Sequence, residues 1–433
     1  MDVVIGYDIN EYYAQISYMV SGEEPETMQF PTRREDGNVE TALCKRRGVN
    51  QWFCGKEAVK KGVAGEGVLV EHLWKLLAEQ EIVVIEKQEY RMTLLCNLFL
   101  AKTLDWVLQR LEDIKGETVN ICALVLTTQI RIEQLRECLQ EVTQGLVVPQ
   151  ERIYIQGHED SLFSFLIHQP QRQLGYETAV FDLTGERLVT YRVEMNHRTR
   201  PIVTTMKKEQ VEGLIKKKHY TSILEHDRCL AELDLLMKDY FASFVEGRIV
   251  TVLYLIGEGF SGEWYPESLK VFCRNRKVFA GNNLYGLGAC YSAAERVWKT
   301  EVSEQYLFLS EDMLRYNVGI HMWNQEKEEY YPLLDAGTNW YDASAEVEFT
   351  MEEAEEIELL ITPLDGSGAY TEVLKLPELP KRPFRSFRFS LTAQMQSERG
   401  LFVCIKDEGF GEWYEKLPVG MTYDMLLGEK GKQ

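Results

Sequence analysis

Apolar runs of strand length open the chain. Val3-Val4-Ile5 begins a run that reaches residue 9, and a second apolar run covers residues 12–20. Asn10-Glu11 lies between them as a turn, so the pattern predicts a β-hairpin. A third strand is expected near Glu26–Phe30 and a short one at Gln51–Cys54, with Gly55–Gly62 leading into a helical segment. Arg91–Ile114 carries apolar residues at helical spacing and predicts a long amphipathic helix. Asn120–Leu126 reads as a buried strand, Arg131–Val142 as a helix and Arg152–Ile155 as the next strand. Glu159–His168 sets Leu162, Phe163, Phe165 and Leu166 on the inner side of another helix. Thr178–Asp182 and Thr190–Glu194 then predict a second hairpin around Gly185. Lys207–Tyr220 and Ile223–Glu246 read as charged helices, and Ile249–Ile256 as a strongly apolar strand. Glu267–Phe272 and Asn283–Trp298 read as helices. Such alternation predicts mixed sheets flanked by helices, an α/β class.

The pattern changes near residue 309. Strand-like runs at Leu314–Met322, Ala345–Phe349, Ile357–Thr362, Phe384–Leu391 and Gly400–Lys406 are separated by turns such as Asp365-Gly366-Ser367-Gly368. They predict a β-sandwich domain over 309–433 behind an α/β domain over 1–308. The acidic run Glu352, Glu353, Glu355, Glu356, Glu358 reads as a solvated turn or strand face.

A chain of 433 residues is long enough for two or three cored domains. Its 48 basic and 68 acidic residues leave a formal charge of −20, which opposes nonspecific binding to nucleic acid and to anionic membranes. The nine cysteines are scattered without a CxxC pair, so neither a zinc site nor a disulfide framework is expected. Buried thiols in a reducing cytoplasm are the natural reading. No basic segment followed by an apolar leader opens the chain, and the longest apolar segments are too short to cross a bilayer.

Four separated segments carry the candidate chemistry. They hold Asp8 with Asn10, Glu11 and Tyr12; Phe53–Val59 followed by Lys60; Asp182 with Thr184 and Gly185; and Gly257 with Gly259, ahead of Leu284–Cys290. Glu159, preceded by His158, stands between the second and third. This set resembles the actin-like ATPase superfamily, and most closely the nucleotide-binding domain of DnaK-type heat-shock chaperones. The resemblance implies an actin-like ATPase fold of two ribonuclease H-like lobes. It implies that Asp8 and Asp182 hold a magnesium ion through waters and that Glu159 helps place the attacking water. It also implies that Asn10, Lys60, Thr184, Gly185, Gly257 and Gly259 line an ATP or ADP site.

The departures fall on both phosphate loops. Asn10, Glu11 and Tyr12 replace a Gly-Thr-Thr type of turn, and Glu11 adds bulk and repulsive charge. Thr184 and Gly185, followed by Glu186, replace a triple-glycine loop. Val59 stands where the family has its phosphate-reaching lysine, with Lys60 one position later. Leu309–Ile320 resembles the chaperone linker and first strand of a peptide-binding sandwich, and Leu374–Pro380 a proline-marked turn late in it, without the helical lid. The expected function is therefore an interaction scaffold with weak or absent nucleotide hydrolysis, possessing no bound nucleotide or only loosely held ATP or ADP with magnesium. Its partner would be a protein or extended peptide on the C-terminal β domain, with no nucleic acid and no membrane involved. The alternative is an ATP-driven, chaperone-like switch with slow ATPase activity.

Overall fold

In the computed structural model the described residues are all except 31–36, 130–137, 171–176, 198–199, 217, 219–222, 224–229, 311–312, 325–326, 352–354, 365–367, 377–378, 380–381, 384–386, 410, 412, 418–419 and 429–433. The chain divides into two compact units, Met1–Leu307 and Phe308–Gln433.

The first unit is built on two six-stranded sheets. In the first, Asp2–Ile9 is central. Tyr13–Val20 pairs antiparallel on one side and continues into Glu26–Thr27, while Asn120–Thr128 and Ile153–Gly157 add in parallel on the other. Asn38–Glu40 also pairs with Tyr13–Val20. The second sheet repeats that order. Glu177–Thr184 is central, Arg187–Asn196 and Ile202–Val211 follow antiparallel, and Val250–Ile256 and Lys277–Ala280 add in parallel. Tyr306–Leu309 lies beyond Ile202–Val211 at the edge. Asp8 and Asp182 thus occupy matching places, each near the end of the central strand of its sheet.

Burial explains the layers. The long helix Met92–Lys115 sets Phe99, Leu100 and Leu104 against Ile5 and Tyr7 on one face of the first sheet. On the other face, Val4 and Val125 meet Ala289, Cys290 and Ala293 of the helix Leu284–Trp298. That contact needs glycine. A Cβ at Gly6 would lie 2.3 Å from the Cys290 nitrogen, and one at Gly288 would lie 1.8 Å from the Ser161 carbonyl oxygen of the helix His158–Ile167. The second sheet packs Phe181 against Phe241, Phe244 and Phe272, from the helices Leu230–Phe244 and Pro266–Phe272.

The segment expected as a helix over Lys207–Tyr220 begins as strand. Ile202–Val211 pairs with the second hairpin from Leu188↔Val211 to Asn196↔Val203. Its inner positions are Thr204, Met206 and the part-buried Lys208, while Lys207 and Glu209 face outward, so a half-buried strand looked like a charged helix. Residues 217 and 219–220 of that expectation, and most of the helix expected at Arg131–Val142, lie outside the described residues. Residues 38–91 hold short elements, of which the strand near Gln51–Cys54 and the helical segment beginning at Gly55 were expected from the sequence. They include a three-stranded sheet of Leu43–Arg46, Trp52–Cys54 and Gly67–Val70, the helices Gly55–Val63 and Leu73–Glu79, and the hairpin Ile82–Ile85 with Gln88–Arg91.

In the second unit, two four-stranded antiparallel sheets share one apolar core. One runs Lys327–Leu334, Tyr316–Asn324, Glu356–Pro363, Tyr370–Lys375, and the other Ser344–Met351, Phe387–Met395, Gly400–Asp407, Met421–Leu426. Val318, Leu359, Phe389, Leu391, Val403 and Ile405 fill the space between them. Glu356 and Glu358 point outward from their strand, alternating with buried Ile357 and Leu359.

Candidate functional site

The two central strands deliver two buried aspartates, Asp8 at 3% and Asp182 at 2% exposure. A charge so buried must be paired. His158 opens the helix His158–Ile167, and its Nε2 lies 2.6 Å from Asp8 Oδ1. Its imidazole stacks on the Tyr285 ring, with centroids 3.7 Å apart and planes at 13°. The Tyr285 hydroxyl donates to Asp182 Oδ2 at 2.8 Å. Thr184 Oγ1 donates to Asp182 Oδ1 at 2.6 Å, and Gln129 Nε2 to Oδ2 at 3.3 Å. The stacked His158–Tyr285 pair therefore joins the two carboxylates, one from each sheet.

Burial raises the Asp182 carboxyl above the ordinary carboxylate range; the Thr184 and Tyr285 hydroxyls and the nearby His158 offset part of that, while Asp8 adds to it. Tyr13, Tyr191 and Tyr285 crowd the same space. Burial first, and the surrounding acids second, push their hydroxyls upward. His158 Nδ1 is buried without a hydrogen-bond partner among the described residues.

The turn between the first two strands is occupied by its own side chains. Asn10 Oδ1 accepts from the Tyr12 and Tyr13 amides at 2.8 and 2.9 Å, which closes the turn locally. Gly185 has φ +61°, and a Cβ there would lie 2.8 Å from the Tyr12 ring. Tyr12 thus lies directly on the second turn. Glu11 pairs with Lys75 at 3.0 Å and with Arg187 at 2.8 Å. Glu159 is half-buried and pairs with Lys208 at 2.5 Å. Gly257, with φ +89°, and Gly259 both pack on Leu183, where added Cβ atoms would fall 2.4 Å from its carbonyl oxygen and 2.2 Å from its Cγ. These glycines serve the passage of the chain past Leu183. Lys60 is exposed on the helix Gly55–Val63 and makes no ion pair among the described residues.

Asp8, Asp182 and Thr184 of the expected set meet in one polar cluster; Asn10, Gly185 and Glu159 reach only neighbouring contacts, and Lys60 takes part in none. The decisive residues that sequence reasoning passed over are Tyr285, Gln129, Tyr191, Lys208, Arg187 and Lys75. His158 was visible only as the neighbour of Glu159. Among the described residues, no three His, Cys, Asp or Glu side chains converge as a metal site.

A family model described as "Family of unknown function (DUF5716) C-terminal" matches residues 24–311, about two thirds of the chain. The chain belongs to that family. A second model, "Domain of unknown function (DUF8552)", matches residues 313–421. No curated protein matches the chain. His158, Asp182 and Tyr285 lie inside the DUF5716 stretch, whereas Asp8 and the Asn10–Tyr13 turn precede it. Among the described residues, no helix is long and apolar enough to cross a membrane.

Proposed function

We propose that the first unit has the actin-like ATPase fold of two ribonuclease H-like lobes, and that the chain is an interaction scaffold whose cleft is closed by its own side chains. Weak or absent nucleotide hydrolysis follows from that closure. The strand order repeated in the two sheets supports the fold. The 2.6 Å contact between His158 and Asp8 carries the functional reading. The resemblance would use Asp8 and Asp182 to hold magnesium-bound water. Here His158 takes one carboxylate, and Tyr285, Thr184 and Gln129 take the other. Tyr12 lies on Gly185, and Glu11 fills the space between the two turns, bonded to Lys75 and Arg187. These residues do not fit a magnesium–triphosphate group, so no chemical step is assigned to one.

The partner is read as a protein or extended peptide on a β-sandwich second unit. Trp413 is 85% exposed there, and Tyr330, Tyr331 and Val373 are also open to solvent. Exposed aromatics of this kind favour protein contacts. The described cysteines are all unpaired, which supports a cytoplasmic location.

Calorimetric titration with ATP and ADP, with and without magnesium, tests the reading. The expected result is no magnesium-dependent heat at millimolar nucleotide. Magnesium-dependent binding that disappears in Asp8→Asn and Asp182→Asn would overturn it in favour of the ATP-driven switch.

A further inference from the structure

The turn at Asn10–Tyr13 is held by two different parts of the first unit, and the two grips differ in kind. On one side the grip falls mainly on the turn's own main-chain carbonyls. Thr41 Oγ1 donates to the Glu11 carbonyl at 2.8 Å, and the Thr41 amide donates to the Tyr12 carbonyl at 3.2 Å. His72 Nδ1 lies 3.3 Å from the Glu11 carbonyl, and its ring meets Tyr12 edge-on at 5.5 Å. His72 adopts φ +55° at the start of the helix Leu73–Glu79, an uncommon conformation for a residue with a side chain. Lys75 adds an ion pair to Glu11 on this same side.

On the other side the grip is made by side chains alone. Arg187 reaches Glu11 Oε2 at 2.8 Å, and the Tyr12 ring covers Gly185. One carboxylate therefore serves both arms. Glu11 is 18% exposed while Lys75 and Arg187 are 48% and 54% exposed, so dissolved ions reach the pair. Glu186 is the further charge bearing on Tyr12.

We propose that Glu11 and Tyr12 form an ionic latch that holds the second hairpin turn against the 41–75 segment, and that the latch opens on the Gly185–Arg187 side. The asymmetry of the two grips sets that direction. Screening or neutralising Glu11 weakens its bond to Arg187, while the Thr41 hydroxyl and amide, bonded to the Glu11 and Tyr12 carbonyls, keep the turn attached to the 41–75 segment. A charge change at this turn, from salt or from a docked cationic surface competing for Glu11, frees the turn at Gly185–Arg187, while the strands on either side stay in their sheet. The latch rests on these contacts and not on what the cleft binds.

Hydrogen exchange read by mass spectrometry tests it, in buffer without nucleotide, so that neither outcome depends on the calorimetry. In the wild-type chain, raising sodium chloride from about 0.05 M to about 0.5 M, which shortens the screening length roughly threefold, is expected to speed exchange over residues 183–188 about fivefold. Residues 41–44 are expected to keep their rate. Glu11→Gln and Arg187→Gln should each show the faster 183–188 exchange already at low salt and lose the salt response. Circular dichroism is the control that each substituted chain keeps its fold. Protection of 183–188 unchanged in both variants would overturn the latch. So would a full salt response persisting in Glu11→Gln, or loosening of 41–44 in place of 183–188.

Discussion

A carboxylate buried as deeply as Asp8 needs a partner, and His158 supplies it. Removing the partner alone leaves an uncompensated buried charge. His158→Leu is therefore expected to cost about 3–5 kcal/mol, read as a lowered denaturant midpoint, and adding Asp8→Asn to it should recover part of the loss. Asp182 behaves in the opposite electrostatic sense to a salt-bridged acid. Its carboxyl is raised by burial, so its ionised form costs stability. The stability it contributes is complete below the ordinary carboxylate range, near pH 4, and is lost as pH rises through the raised folded value. Asp182→Asn removes that loss. Thermal midpoints of wild type and variant should diverge in favour of the variant as pH rises from about 4 to about 7. A constant difference across that range would contradict this account.

Helix packing in the first unit depends on positions where two backbones nearly touch. The helix Leu284–Trp298 can cross the strand Asp2–Ile9 and lie on the helix His158–Ile167 only because Gly6 and Gly288 lack a Cβ. The atoms met there are main-chain nitrogen and carbonyl groups, which cannot rotate away. Gly288→Ala is expected to cost more than about 3 kcal/mol, because the helices must separate. Gly116→Ala gives the comparison. Gly116 ends the helix Met92–Lys115 at φ +71° with open space around it, so only backbone strain of about 1 kcal/mol applies. Denaturant titration of both variants separates the close-approach effect from the conformational one. The same helix crossing also places Tyr285 between His158 and Asp182, so loosening it should disturb the polar chain as well.

Across the whole molecule, the two units have separate cores and separate buried charges. The second unit closes around Arg382 and Asp407, whose side chains are 2% and 0% exposed. The guanidinium bonds both carboxylate oxygens, at 2.7 and 2.5 Å, and lies near the Phe387 and Tyr414 rings. Burial alone would raise Asp407, but Arg382 and the Gly409 and Leu417 amides outweigh it and hold its carboxyl below the usual range. Its stabilisation is present above the ordinary carboxylate range and is lost as pH falls through the depressed value. Arg382→Met should cost the second unit about 3–5 kcal/mol. Scanning calorimetry is expected to show two transitions, with this substitution lowering only one and His158→Leu only the other. A single transition lowered by both would show that the units unfold together.

Local repeats of two and 3.6 residues are written into the chain, so the hairpins around Asn10 and Gly185 and the helices Met92–Lys115 and Leu284–Trp298 were readable from it. Apolar alternation likewise announced most strands of the second unit. The strand Ile202–Val211 was not readable, because its second half carries Lys207, Lys208 and Glu209 in a row, of which Lys208 turns inward to Glu159, and such a charged run also suits a solvated helix. The four residues of Lys277–Ala280 are too few to show a period, the first six of Lys327–Leu334 are all exposed and do not alternate, and the alternation in Tyr370–Lys375 and Met421–Leu426 was passed over. Asp8 and Asp182 stood out as candidates because the segments around them resemble the two phosphate loops of actin-like ATPases. Their partners did not. His158 is 150 residues from Asp8, and Tyr285 is 103 from Asp182. A periodicity fixes which face of an element is buried; only the closing of sheets and helices on one another decides which distant side chain meets a buried charge.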